Sequence, residues 1–168
     1  MFKPIAIFYG LLFVFLMTAC ANSEPKAEGE NTFEFAPESA MPVPEFHPSH
    51  EPAKQNAPFS DVVQVGNTFY LSGQIGMNQT TRTLVAGGIE AETTQTLENI
   101  KAVLAQHGLT MKDVVKALVI LDNIEDFAAF NAIYSKYLPQ KPARTTFAAE
   151  ALAVGAKIEI EVVAVKSE

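Results

Sequence analysis

Residues 157–166, Lys-Ile-Glu-Ile-Glu-Val-Val-Ala-Val-Lys, constrain the fold more than any other stretch of this chain. Side chains alternate across a strand, so Ile158, Ile160, Val162 and Ala164 share one face and Glu159, Glu161, Val163 and Val165 the other. The first face is wholly apolar and suits a layer of helices. The second is half apolar, and residues 114–121 (Val-Val-Lys-Ala-Leu-Val-Ile-Leu) are hydrophobic on both faces. A sheet open to water on its second side alternates more sharply than this. The pattern predicts a sheet with helices on one face and other subunits on the other.

The remaining elements follow from periodicity and turn signals. Residues 62–65 and 68–72 are short β-prone runs joined at Gly66-Asn67, a hairpin signal, and a polar loop follows over 76–88. A helix is expected over 91–107, with Leu97, Ile100 and Leu104 on one stripe and Gly108 as its stop. After the strand at 114–121, a second helix over 124–138 presents Phe127, Phe130, Tyr134, Tyr137 and Leu138. Strands near 144–149 and 157–166 complete the order β-β-α-β-α-β-β. That order argues for an α+β sandwich, one mixed sheet with two helices on one face. A chain of 168 residues has room for one such domain.

The N-terminal third has a different composition. Residues 1–19 carry Lys3, no acid, and an apolar run over 5–17 broken only by Gly10, the pattern of a secretory signal and too short to span a membrane comfortably. Leu16-Met17-Thr18-Ala19-Cys20 is similar to a bacterial lipoprotein processing site, with Cys20 the residue that takes the lipid. Export to the cell envelope and a lipid anchor are expected, the outer membrane before the inner. Cys20 is the only cysteine, which excludes an intramolecular disulfide and thiol catalysis in the domain. Residues 21–52 contain seven Glu, one Lys, six Pro and no Leu or Ile, and read as a disordered, charge-extended tether. His47-Pro-Ser-His50 lies in that tether without a cysteine and reads as solvated rather than metal-binding. The formal charge of −7 becomes −8 without Lys3; the tether carries −6, leaving −2 for residues 53–168. No basic patch argues for nucleic acid.

Two residues stand out chemically. Arg144, one of only two arginines, opens a strand, and its planar fork suits bidentate binding of a carboxylate. Glu159, flanked by apolar residues, can hold or activate a water. Together they suggest a small pocket for a carboxylate-bearing metabolite. Read on their own, Arg144 equally fits a surface or interface salt bridge, with Glu159 as one partner, and Glu159 with Glu161 fits a plain polar strand face.

Pro142-Ala143-Arg144 followed by Lys157-Ile-Glu-Ile-Glu161 resembles the terminal signature of the Rid (YjgF) reactive-intermediate deaminases. The resemblance extends to Ser72-Gly73-Gln74, Asn99-Ile100-Lys101 and the run from Phe127 to Tyr134, and covers residues 53–168. It implies a chorismate-mutase-like fold, a homotrimer with its sheets facing the trimer core, and sites between subunits. It implies hydrolysis of 2-imino acids such as 2-iminopropanoate or 2-iminobutanoate, or their enamine tautomers, to 2-keto acids and ammonia, with no cofactor and no metal. By the same resemblance Arg144 binds the substrate carboxylate and Glu159 positions the water. Ser72, Gly73, Phe59, Asn131 and Thr146 then line the pocket. Phe59 stands where many members carry tyrosine, and Thr146 where many carry cysteine. Loss of the tyrosine hydroxyl also fits a second reading, a non-catalytic module that captures a carboxylate metabolite or docks a partner at the envelope. Arg82, in a polar loop, reads as solvated.

Overall fold

The structure, a computed structural model, describes residues 41–167. The expected signal, Cys20 and the tether as far as residue 40 lie outside the described residues.

A six-stranded sheet has the order β1-β2-β3-β8-β6-β7, with β1 Glu45–His47, β2 Val62–Val65, β3 Thr68–Ile75, β6 Val114–Leu121, β7 Ala143–Ala148 and β8 Ile158–Val165. All neighbours are antiparallel except β6 and β7, so the sheet is mixed as expected. The parallel pair requires a crossover, which α2 (Phe127–Tyr137) supplies after a single 3₁₀ turn at Ile124–Asp126. The other helix, α1 (Gly88–Gln106), packs on β3 and β8, and α2 packs on α1.

Burial of Leu97, Ile100 and Leu104 confirms the stripe of α1. Of the five residues expected along the second stripe, Phe130, Tyr134 and Leu138 are buried and Tyr137 is partly buried, but Phe127, at the first turn of α2, is 40% exposed. The buried residues of both stripes pack on Phe69, Leu71, Ala117, Val119, Ile158, Ile160, Val162 and Ala164 in one core. Helix α1 ends as its sequence requires. Gly108 takes φ +69°, its N–H donates to Ala105 O, and Leu109 N–H donates to Leu104 O, the two bonds of a Schellman cap. The second sheet face carries Tyr70 (49% exposed) and Phe147 (44% exposed), with Leu118, Ile120, Val163 and Val165 half-buried. It is an apolar surface that neither helix covers.

Two expectations need correction. The fold begins before residue 53: Glu45–His47 is not part of a disordered tether but pairs with β2, Phe46 opposite Val63. The open edge of β2 offers unpaired backbone groups, and pairing with it needs no apolar composition. His47 is correspondingly not solvated; its ring lies edge-on to His107, 4.8 Å between centroids. The loop over 76–88 contains a small hairpin, β4 (Met77–Asn78) with β5 (Thr83–Leu84).

Candidate active site

Arg144 lies on the edge strand β7, where it pairs with Ala117, a fully buried residue of the helix-covered face. Its side chain therefore turns toward α2. Arg144 Nη1 donates to Asn131 Oδ1 at 2.9 Å. The guanidinium carbon stands 4.7 Å from the Tyr134 ring centroid, 5.1 Å from Phe130 and 5.6 Å from Phe127. Cation–π attraction of this kind strengthens when the charge is partly desolvated. Burial pushes the Tyr134 phenol up, opposed by the guanidinium beside it. The result is an arginine held by an amide and three rings, with the rest of its fork bordering a 620 Å³ cavity lined also by Tyr134, Ser135, Lys141 and Pro142.

Glu159 belongs to the opposite face. It pairs with Ile75 and Ile120, while Ile158 and Ile160 on either side of it are buried under the helices. A register shift between Leu71 and Gln74 places one extra residue in β3, a bulge at Ser72-Gly73. The bulge brings Gly73 beneath the Glu159 side chain: a Cβ at residue 73 would overlap the carboxylate. A side chain at residue 73 would have to displace the Glu159 carboxylate, a constraint of approach rather than of backbone angle. Two devices fix the segment that follows. Asn99 of α1 donates to Ile75 O (3.0 Å) and Met77 O (2.9 Å), and Gly76 passes so near Glu92 that it too has no room for a side chain. Burial raises the Glu159 carboxyl above its usual range, and the charge of Glu161 raises it further. A carboxyl shifted in this direction accepts a proton from water more readily near neutral pH. Glu159, Gly73, Phe59, Gln74, Met77, Lys54 and Arg82 line a second cavity of 300 Å³.

The structure thus groups the sequence-derived residues into two sets. Arg144 and Asn131 meet at one cavity; Glu159, Gly73 and Phe59 meet at the other. Within one chain Arg144 and Glu159 form no salt bridge. They are on opposite faces, two strands apart and three residues out of step, roughly 14 Å between backbones. Ser72 is adjacent but does not line the cavity; its hydroxyl donates to Ser60 O at 2.6 Å. Thr146 shares the face of Arg144, and its Oγ1 is buried without a partner among the described residues. Among the cavity-lining residues that the sequence did not single out as functional are Tyr134, Lys141 and Arg82. Arg82, Lys141 and Val154 are also the non-glycine residues with positive φ among those described, at +58°, +57° and +52°. All three border one cavity or the other, and strained backbone collects at functional sites. No sequence signal marks such strain, since none of the three is a residue type that favours it. Among the described residues no cluster of three His, Cys, Asp or Glu is placed to hold a metal ion.

The sequence pattern of the family described as endoribonuclease L-PSP matches residues 49–166. The chain belongs to the endoribonuclease L-PSP family. Among family relatives, a 2-iminobutanoate/2-iminopropanoate deaminase of Dermatophagoides farinae is 44% identical over 109 residues, 64% of this chain and 85% of that one. The enzyme of that name from Homo sapiens is 42% identical over 110 residues, 65% of this chain and 80% of that one. The crystal structure of a Rid-family protein of unknown function from Yersinia pestis superposes with a TM-score of 0.69 at 36% identity, covering 74% of this chain and all of that one. Membership of the L-PSP family agrees with the Rid and YjgF resemblance of the terminal motifs and with the observed sheet and helices. Residues 49–52, assigned above to the tether, fall inside the matched region.

Proposed function

We propose that this protein hydrolyses reactive 2-imino acids such as 2-iminopropanoate or 2-iminobutanoate to 2-keto acids and ammonia, at a site completed between copies in a homotrimer. The observation that carries this reading is the pre-set Arg144 fork, a carboxylate receptor, in a chain that also holds a half-buried glutamate of raised basicity. The deaminase names of relatives at 42–44% identity support it. The apolar sheet face supports the assembly, because a second copy packed there would cover Tyr70, Ile120 and Phe147 and unite two half-sites that one chain keeps apart.

In this mechanism Arg144 of one copy grips the substrate carboxylate bidentately and orients the C=N carbon. Glu159 of the next copy takes a proton from water as the water oxygen bonds to that carbon. The tetrahedral carbinolamine then receives a proton on nitrogen. Its C–N bond breaks, ammonia departs, and the C–OH proton is released as the keto acid forms. Every atom comes from substrate and water. Such imines hydrolyse unaided, so the rate enhancement required is modest. The test follows ammonia and keto-acid release from 2-iminopropanoate generated enzymatically, with the full-length chain and its Arg144→Ala variant. Acceleration lost in the variant supports the reading; equal turnover by both contradicts it.

Phe59 favours a second reading, capture of a carboxylate metabolite without turnover. It lines the Glu159 cavity as a ring with no hydroxyl to offer, half exposed to solvent. Saturable binding of a 2-keto acid by a wild type that accelerates no imine would select it. For localisation we propose export and lipid attachment at Cys20 in the cell envelope, as the leader and Leu16–Cys20 pattern support. Loss of membrane association in Cys20→Ser is the outcome that tests it.

A further inference from the structure

The chain has two arginines, and each borders one of the two cavities. Arg144 has its role above; Arg82 has none. Arg82 sits in the turn between β4 and β5 with φ +58°, a conformation that any residue with a side chain adopts at a cost in free energy. The hairpin that imposes this conformation is itself well held. Met77 pairs with Leu84 and Asn78 with Thr83; Asn78 Oδ1 accepts from the N–H groups of Thr80 (2.9 Å) and Thr81 (3.1 Å); and Asn99 ties Met77 to α1. Arg82 Nη1 donates to Gln79 Oε1 at 2.6 Å, so a neutral amide, itself lining the cavity, orients the guanidinium.

The other cation on this cavity is already neutralised: Lys54 Nζ lies 2.7 Å from Asp61 Oδ1. Arg82 has no such acidic partner among the described residues, and no salt bridge joins it to Glu159 in the cavity they share. Phe59, Met77 and Val154 make the rest of that lining largely apolar. The cavity therefore offers a catalytic carboxylate, apolar walls that suit methylene groups, and an unneutralised, oriented guanidinium. Its 300 Å³ is at the small end for ligand pockets, which suits a metabolite of amino-acid size.

We propose that Arg82 is a specificity-determining residue that receives the distal carboxylate of 2-imino acids derived from acidic amino acids, of the glutamate and aspartate type. The inference rests on imine hydrolysis as proposed above and names the substrate class of that site. The α-carboxylate goes to Arg144 of the neighbouring copy, C2 stands by Glu159, and the side chain runs along the apolar lining to the Arg82 fork. A short alkyl imino acid leaves Arg82 in solvent and gains nothing from it.

The experiment measures kcat/KM of the full-length protein for 2-iminoglutarate and 2-iminopropanoate, both generated in the assay from the amino acids, in wild type, Arg82→Gly and Arg82→Lys. Glycine suits the positive φ and keeps the hairpin. The dicarboxylate-to-alkyl ratio is expected to fall about 10-fold or more in Arg82→Gly, mainly through KM, the loss typical of one charged hydrogen-bonded contact. Arg82→Lys should recover part of it. A ratio unchanged in Arg82→Gly, with wild type active on either imine, overturns this inference and leaves imine hydrolysis standing. A wild type that accelerates neither imine overturns both.

Discussion

The covered and uncovered faces of the sheet treat their key charged residues in opposite ways. On the covered side, at the β7 edge, Arg144 is restrained by Asn131, Tyr134, Phe130 and Phe127, so its fork is aimed before any ligand arrives. On the uncovered side Glu159 lies over Gly73 beside a second acid, and partial burial disfavours its charge. In the proposed reaction the first would serve as a rigid anchor and the second as a poised base. Binding energy realised at a rigid anchor can hold a substrate against a base that is unfavourable to keep charged. In the trimer proposed above, a second copy would bring the two halves together.

The largest effect is expected from breaking the anchor. Arg144→Ala should lower kcat/KM by about 100-fold or more while circular dichroism and the assembly state stay as in wild type. Arg144→Lys should recover little, because a lysine lacks the bidentate fork. The base half can be broken without touching the glutamate. In Gly73→Ala the new Cβ displaces the Glu159 carboxylate, and a misplacement of about 1 Å costs on the order of 100-fold in rate. Enzyme assays with Asn131 and Arg144 intact would show that loss against unchanged binding of a keto-acid product. A third variant tests the junction rather than either half. Phe147→Lys sets a charge on the uncovered face, one strand beyond the direct partner of Glu159. It should shift sedimentation from trimer toward monomer and remove activity in a protein-concentration-dependent way.

Smaller effects sharpen the contrast through pH. The Glu159 carboxyl is raised in the fold by burial and then by Glu161. As pH rises through its folded pKa, the fold carries a charge that it disfavours more than the unfolded chain does. Glu159→Gln is therefore expected to melt above wild type at pH 7 although it loses activity. The gap should close below about pH 4, where the glutamate is protonated in both states. His107 shifts the other way: burial lowers it, helped by the positive charges of His47, Lys166 and His50. Below about pH 6.5 the unfolded chain takes up a proton that the folded chain resists, so stability falls on acidification. His107→Gln should flatten that part of the melting-temperature profile by a few degrees at most.

Much of this was legible in the sequence because strand alternation and helix stripes report burial directly. The alternation of β8, the α1 stripe, the Gly66-Asn67 turn and the Gly108 stop read correctly, and so did the second stripe except for Phe127, which is exposed at the start of α2. Three things were not legible. The sequence Ala-Arg-Thr-Thr-Phe-Ala of β7 has no apolar alternation, so nothing in it shows that Arg144 faces the helices and Glu159 does not. Glu45–His47 enters the sheet by backbone pairing, to which composition is blind. The strain at Arg82, Lys141 and Val154 is imposed by the surrounding turns and leaves no mark in residue type. The same limit hid the role of Gly73, whose need for glycine comes from a side chain 86 positions later, Glu159.

Subunit mixing tests the division of the site most directly. Arg144→Ala and Glu159→Ala chains, each inactive alone, are unfolded together, refolded at equal ratio, and assayed for ammonia release from 2-iminopropanoate. If the anchor comes from one copy and the base from the next, random assortment leaves about one quarter of the sites with both groups intact, and about one quarter of wild-type activity returns. If each chain carries a complete site, the mixture stays as inactive as its parts, and the two-copy account is wrong.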